Sequence, residues 1–168
     1  GLNFTSELSL SKFDFEGTNF SGSRFTGTDF KGANLTNANF SGSMFFKVDF
    51  EHANLTNANL SKAELYNHTD LTNANLTGAT LTEAILSSAI LNYAVLTGAK
   101  LVNAKLQGAK LTKADLTEAD LYNADLTEAT LKGANLTKAQ LYKAKLTKAD
   151  LTEAVLTGAI LRQVKLPN

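Results

Sequence analysis

Apolar residues recur at every fifth position along nearly the whole chain. Leu occupies each of these positions from Leu71 to Leu166, and Phe shares them with Leu between Leu10 and Leu65. Ala stands two residues before most of these centres, Asn or Asp often precedes them directly, and Ser or Thr often follows. The chain therefore reads as thirty-two pentapeptides, each with one large apolar centre and usually one small inward residue.

A period of five suits neither an α-helix nor a β-strand. Five residues advance a helix by about 500°, which puts successive centres about 140° apart, and an odd step alternates between the two faces of a strand. All the centres can be buried together only if the chain turns a corner in each pentapeptide and the coils stack as a solenoid. Stacked coils would pair through parallel backbone hydrogen bonds at a spacing of about 4.8 Å.

This motif, a small residue followed by Asn or Asp, Leu or Phe, Ser or Thr and a variable residue, resembles that of the pentapeptide-repeat family from about Leu8 to Leu166. Many members of that family are bacterial, and especially cyanobacterial. The resemblance implies an all-β fold, a right-handed quadrilateral parallel β-helix of about eight coils that stack over roughly 38 Å. The spacing alone leaves two geometries open. A three-sided coil would align Lys100 with Asp115, and a four-sided coil would align Lys100 with Asp120.

The pattern predicts one domain over residues 1–168, with a cap in residues 1–9 and repeats in residues 10–166. Leu2, Phe4, Leu8 and Phe13 are expected to fold across the first coil. Leu65 and Leu71 are six residues apart, so one residue is inserted within 66–70, and Thr69 takes the place of Ala. We expect a bulge there. The Phe centres of the first coils should need a wider interior.

Charge and composition narrow the classes of partner. The chain has 16 basic and 16 acidic residues, but the first 90 residues hold nine acids and five bases, and the remainder seven acids and eleven bases. This balance argues against a nucleic-acid partner. No apolar run approaches the roughly 18 residues of a membrane span, and we expect no membrane partner. The expected compartment is the cytoplasm or, if a signal preceding Gly1 was removed, the periplasm or thylakoid lumen.

Candidate chemistry is sparse, and we predict no enzyme, catalytic residue, cofactor or metal site. The chain has no Cys. Its two histidines, His52 and His68, would lie near different corners without an orienting partner. Asp29, Asp49 and Asp70 should stack on one face, where a carboxylate column could hold a cation. We favour a solvated column, because Asp exchanges freely with Asn at this position of the repeat.

Large apolar side chains interrupt the polar outward positions at one place, which we call the apolar patch. It comprises Met44, Phe46, Tyr66, Ile85, Ile90 and Tyr93. A patch rimmed by Lys47, Lys62 and Glu64 suits a protein partner, although exposed ladders can also merely stiffen a β-helix. A second ladder is interpreted as structural stacking with a terminal cation over a ring. It comprises Val102, Tyr122, Tyr142 and Arg162. We also expect Lys100 to pair with Asp120, and Lys105 with Asp125, across adjacent coils.

The last regular coil has apolar residues at its centres and nothing evident to cover them. We therefore expect a homodimer that packs end to end through this coil. The contact would comprise Leu151, Leu156, Leu161, Val164 and Leu166.

Two functions remain after these arguments. The first is a non-enzymatic scaffold with a regulatory or assembly role, which binds a protein partner of unknown identity. The second follows from the resemblance, because some family members mimic duplex DNA and protect type II topoisomerases. Mimicry needs an extended acidic face in place of phosphates, which a chain of zero net charge does not favour.

Overall fold

The computed structural model describes residues 1–4, 8–66 and 68–166, which form a rod of stacked coils. Each residue that precedes a centre bridges in parallel to the residue one coil later, as Asp29 does to Asp49 and Lys100 to Asp120. A repeat of twenty residues is four pentapeptides, so the coil has four sides and the three-sided geometry is wrong. The predicted all-β class, a right-handed quadrilateral parallel β-helix, is confirmed.

Among the described residues, extended strands form on only one side of the first coils. They are β1 (Asn3–Phe4), β2 (Arg24–Thr26), β3 (Met44–Phe46) and β4 (Glu64–Tyr66). These strands make a parallel sheet in the order β1-β2-β3-β4. Elsewhere in the described residues, the coils join through single-residue bridges. No helix in this part of the chain is long and apolar enough to cross a membrane.

The corners have a nearly constant backbone geometry. One residue in each pentapeptide, from Lys12 to Gln163, has a positive φ of 54–70°, and twenty-one of these residues are not Gly. A backbone hydrogen bond closes the regular corner, as between Ala119 N and Leu116 O at 3.0 Å. The left-handed region is unfavourable for residues with a Cβ. Each non-Gly corner therefore costs free energy, which the regular ladder and buried core must offset.

The core consists of the inward Leu, Phe and Ala side chains, which are almost completely buried in the middle coils. In the first coils the Phe rings stack along the axis: Phe25 lies 5.2 Å from Phe45, and Phe30 lies 5.2 Å from Phe50. Phe4 continues one stack, with its ring 4.7 Å from that of Phe25. The interior of this end is thus filled by aromatic rings.

The residues named for the cap differ in the burial of their side chains. Phe4 packs against the core, but Leu2, Leu8 and Phe13 remain exposed in the structure. These three side chains lie at the end of the rod, where no described coil lies on their outer side to bury them. The backbone carbonyls of Leu2, Leu8 and Phe13 nevertheless accept hydrogen bonds from the next coil, so the expectation that these residues cap the first coil stays a prediction.

The insertion appears as a change in register. Before the insertion, bridged residues are 20 positions apart, as Asn39 is from Asn59. Across the insertion, four consecutive bridges span 21 positions, from Asp49–Asp70 to Glu64–Ile85. The separation returns to 20 positions at the bridge between Asp70 and Ile90. Asn67 lies outside the described residues, so the expected bulge stays a prediction. A second 21-residue step, from Asn3 to Arg24, was not predicted.

Candidate protein-binding site

The side of the rod that carries β2, β3 and β4 is bounded by unusual corners. At the first corner of this side, Ser23 and Ser43 take the inward position that Ala holds in most pentapeptides. Both serine side chains are buried. The hydroxyl of Ser43 donates a hydrogen bond to the carbonyl oxygen of Phe20 at 2.7 Å and accepts one from the backbone N–H of Ser23 at 3.2 Å. These bonds satisfy polar groups inside an otherwise apolar wall.

At the second corner the inward position holds larger residues than Ala. They are Thr28, Val48 and Thr69, all buried. The backbone hydrogen bond that closes a regular corner is absent between Thr28 and Phe25 and between Val48 and Phe45. We attribute the open corner to the extra inward volume, because a tightly closed turn leaves room for little more than a methyl group. The chain therefore stays extended for three residues, and β2 and β3 result.

A shallow cavity lies on this face between neighbouring strands, and we call it the Arg24 cavity. Its volume is about 320 Å³, and it is lined by Arg24, Phe25, Thr26, Met44, Phe45 and Phe46. The Phe46 ring is 40% exposed, and the ammonium of Lys47 lies 5.7 Å from its centroid. The Arg24 guanidinium lies 3.6 Å from the sulfur of Met44, and no described carboxylate lies within ion-pair distance of it.

The structure brings together some members of the apolar patch but not all. Met44 and Phe46 flank the Arg24 cavity on β3, and Tyr66 pairs with Phe46 through its backbone. The side chain of Tyr66 lies outside the described residues. Glu64 stands between Met44 and Ile85 in one column, so a carboxylate interrupts the patch.

The remaining two patch residues lie around the corner. Ile90 is half-buried and follows Asp70 in its column, and Tyr93 is exposed beneath the ammonium of Lys113, which lies 5.9 Å from its ring. Arg24 was not selected from the sequence. Its signal was available, because it stands twenty residues before Met44, in the same column of a four-sided coil.

The acidic column has cationic neighbours. Asp29, Asp49 and Asp70 are stacked as expected, but the column continues into Ile90 and Lys110. The ammonium of Lys31 pairs with Glu51 and lies 3.8 Å from Asp49. The hydrogen bond to Glu51, followed by the charge of Asp49, raises the pKa of Lys31. Within the described residues no group of His, Cys, Asp and Glu has the arrangement of a metal site.

The two histidines occupy exposed corners with positive φ. His52 Nε2 lies 3.5 Å from a carboxylate oxygen of its neighbour Glu51. His52 and His68 lie at different corners, as expected, so the structure does not combine them into one site.

Ion pairs connect the last coils, but not as expected. The backbones of Lys105 and Asp125 are bridged, yet the Asp125 carboxylate pairs with Lys145 of the following coil at 3.1 Å. No ion pair forms between Lys100 and Asp120. Partial burial by itself raises the pKa of Asp125, but hydrogen bonds from Thr127 and Lys145 outweigh it and lower the pKa overall.

In the second ladder the two tyrosine rings stack, but the cation over them is not the expected one. The rings of Tyr122 and Tyr142 stack at 5.5 Å, and the Lys143 ammonium lies 5.2 Å from the Tyr142 centroid. The cation over the ring is thus Lys143 rather than Arg162, because the corner residue beside Tyr142 reaches back over it.

The C-terminal coil presents apolar centres to solvent in this single chain. Leu161 and Leu166 are exposed, while Leu151, Leu156 and Val164 are partly buried. The five residues named for a dimer contact therefore lie together at one end of the rod.

The family model for pentapeptide repeats matches the chain in eight copies, over residues 6–42, 33–67, 69–108, 99–137 and 134–168. The chain belongs to the pentapeptide-repeat family. A search of curated proteins found no significant match.

Solved structures similar to this pentapeptide-repeat protein include two from cyanobacteria. HetL of Nostoc sp. strain PCC 7120, involved in heterocyst differentiation regulation, is 30% identical over 99% of this chain and 90% of its own, with a TM-score of 0.42. Rfr23 of Cyanothece 51142 is 38% identical over 59% of this chain and 60% of its own, with a TM-score of 0.43.

A trypsin-treated variant of QnrB1, a plasmid-mediated fluoroquinolone resistance protein, is 21% identical over 100% of this chain and 93% of its own. Its TM-score of 0.60 supports the shared fold.

Proposed function

We propose that this pentapeptide-repeat protein is a non-enzymatic scaffold, with a regulatory or assembly role, that binds a protein partner through the apolar patch. The observation that carries the proposal is Phe46, a large apolar side chain exposed beside the Arg24 cavity on a face whose second corner is open after β2 and β3. Exposed aromatic residues and Met are favoured at protein interfaces, and charged residues are favoured at the rims.

The rigidity of this face supports the same function. Parallel pairing holds β3 between β2 and β4, and the stacked Phe rings fill the space beneath it. Phe45, between the partly buried Met44 and the exposed Phe46, points inward and is completely buried. The backbone would lose little freedom on binding, which reduces the entropic cost of association. A partner would therefore meet the patch in a preorganised form.

An affinity capture with matched variants tests the proposal. Phe46→Ser removes the exposed ring of the patch, while Tyr122→Ser removes a ring that is 39% exposed in the C-terminal half and also neighbours a lysine. Proteins bound by the wild type and by Tyr122→Ser, but lost from Phe46→Ser, would be partners of the patch. If both variants capture the same proteins as the wild type, the patch does not carry the function.

We further propose that the C-terminal coil forms a homodimer contact between two rods packed end to end. Its support is the exposure of Leu161 and Leu166 in the single chain, because a second copy would remove these apolar side chains from water. Sedimentation of the intact protein at micromolar concentration should show a dimer that Leu161→Lys or Val164→Lys disrupts. A monomer at all concentrations would contradict this contact.

The alternative function, mimicry of duplex DNA, has less support. A mimic needs a long row of negative charges, and the longest run of carboxylates in the described bridged columns is Asp29, Asp49 and Asp70. Lys31 neutralises part of this run, and Lys110 follows it. Likeness in fold to QnrB1 does not supply the missing charge.

A further inference from the structure

Arg24 lies on the face that carries the apolar patch, and its guanidinium has no ion-pair partner among the described residues. Its guanidinium has five N–H donors in a planar fork, and the contact within the described residues is the thioether sulfur of Met44, a weak acceptor. Glu64 belongs to the same column but stands two coils away, at about 10 Å along the axis. As far as the described residues go, the fork therefore keeps donors for an acceptor that comes from a partner.

The setting of Arg24 differs from that of a cation on a flat polar surface. The side chains of Met44 and Phe46 flank the Arg24 cavity beside it, whereas Phe25 and Phe45 line the cavity while their own side chains stay completely buried. Apolar walls lower the local dielectric constant, so a charge pair formed there is stronger than one in open water. The fork and the apolar walls thus favour a ligand that combines a negative charge with an apolar group.

The size of the cavity limits what can enter it. Its volume of about 320 Å³ is near the lower limit of small-molecule pockets, which begin at roughly 300 Å³. This space suits one aromatic or large aliphatic side chain, with its ring against the Met44 thioether and the Phe46 edge. The face continues along the rod on both sides of the cavity, so a bound chain can enter and leave it without ending there.

We propose that the Arg24 cavity recognises an acidic residue next to an aromatic residue within a partner protein. The Asp or Glu carboxylate accepts two hydrogen bonds from the guanidinium fork, and the neighbouring ring fills the cavity. This inference rests on the proposed function and assigns the chemistry that the partner must carry. It also assigns Arg24, which the apolar patch did not include, as the residue that selects charge.

Met44 makes the proposal directly measurable, because it is the only methionine of the chain. A ¹³C-methyl methionine label gives one NMR signal from the wall of the cavity. The probes are two blocked dipeptides, acetyl-Glu-Phe-amide and acetyl-Gln-Phe-amide, which differ in charge but hardly in shape. The intact protein is titrated with each probe to millimolar concentration, and the shift of the Met44 methyl signal is followed.

We expect the Glu dipeptide to shift the signal saturably and to bind about tenfold more tightly than the Gln dipeptide, as for one charge-assisted pair. Arg24→Gln should abolish this preference and leave the two dipeptides equal. Lys143→Gln is the matched control, because it removes a cation that also lies over aromatic rings, those of Tyr122 and Tyr142, but outside the patch and the cavity. It should preserve the preference.

Three results of the dipeptide titrations would overturn the inference. They are no shift of the Met44 signal with either dipeptide, equal affinities in the wild type, and a preference that survives Arg24→Gln. Preferential binding of acetyl-Phe with a free carboxylate would instead indicate recognition of a chain terminus and would also overturn it. If the dipeptides fail while Phe46→Ser still loses a captured protein, the scaffold function stands and only the assigned chemistry is wrong.

Discussion

Two leucines at equivalent positions of the repeat offer a controlled test of the core. Leu121 and Leu161 are centres in the same column, two coils apart. Leu121 is completely buried, and Leu161 is 41% exposed at the C-terminal end. Replacing each by Ala removes the same atoms from the same place in the repeat. The difference in unfolding free energy between the two variants thus reports burial alone.

The expected magnitudes follow from this burial. Leu121→Ala should cost about 3–5 kcal/mol, because the coil cannot collapse into the cavity while its backbone is fixed to the next coil. Leu121 N donates to Gln140 O at 2.8 Å, and Leu121 O accepts from Ala124 N at 3.0 Å. Leu161→Ala should cost about 1–2 kcal/mol, because part of the side chain is already in water and no closed cavity remains.

Urea unfolding followed by far-ultraviolet circular dichroism would measure both costs. Thermal melting should agree, with a shift of roughly 2–4 °C for each kcal/mol in a chain of this size. The measurement is made at two protein concentrations, because a dimer at the C-terminal end would make the cost of Leu161→Ala depend on concentration. Equal costs for the two variants in a concentration-independent monomer would refute the assignment of buried and exposed centres.

Three further substitutions test the corners, the inward small residue and a partly buried carboxylate. Gly98→Ala should cost about 1 kcal/mol in thermal melts, because φ is 64° while the added Cβ meets open space; an unchanged melt would contradict corner strain. Ala119→Leu should destabilise by about 1–3 kcal/mol through overpacking, and urea curves that superimpose on the wild type would contradict it. Burial alone raises the pKa of Asp115, but hydrogen bonds, chiefly from Thr117, lower the pKa overall. The contribution of these bonds to the stability of the fold is therefore present above about pH 4 and is lost as pH falls through the folded pKa. Thr117→Val should therefore destabilise at pH 7 by more than at pH 3 in urea unfolding, and a difference independent of pH would argue against this bond.

The architecture was predictable because burial of every fifth residue demands a corner in every pentapeptide. The number of sides was not, since three-sided and four-sided coils both bury all centres, and only the resemblance favoured four. Ion pairing was also ambiguous for a physical reason. Asp125 has Lys105 on one side of its column and Lys145 on the other, and the backbone pairing is the same for both. Side-chain conformation decides between them, and spacing does not encode it.

Only part of the candidate site could be predicted from the sequence. Met44 and Phe46 stood out because they replace polar residues, whereas Arg24 is an ordinary outward residue until the register places it beside them. The open corners depend on the summed volume of inward residues such as Thr28 and Val48, which no single pentapeptide reveals. Leu2 and Phe13 were assigned to the cap from their apolarity, but burial of their side chains would also require a neighbouring coil to cover them.

Because the coil has four sides, the length of an insertion determines the direction in which all later side chains face. A duplication of twenty residues would lengthen the rod by about 4.8 Å and leave every later side chain facing the same direction. A duplication of five residues would instead turn everything beyond it by a quarter of a revolution. The single extra residue before Leu71 does neither, because the bridges return to a step of twenty within one coil. Duplication of one pentapeptide can thus change the angle about the rod axis between the apolar patch and the C-terminal coil without altering either surface.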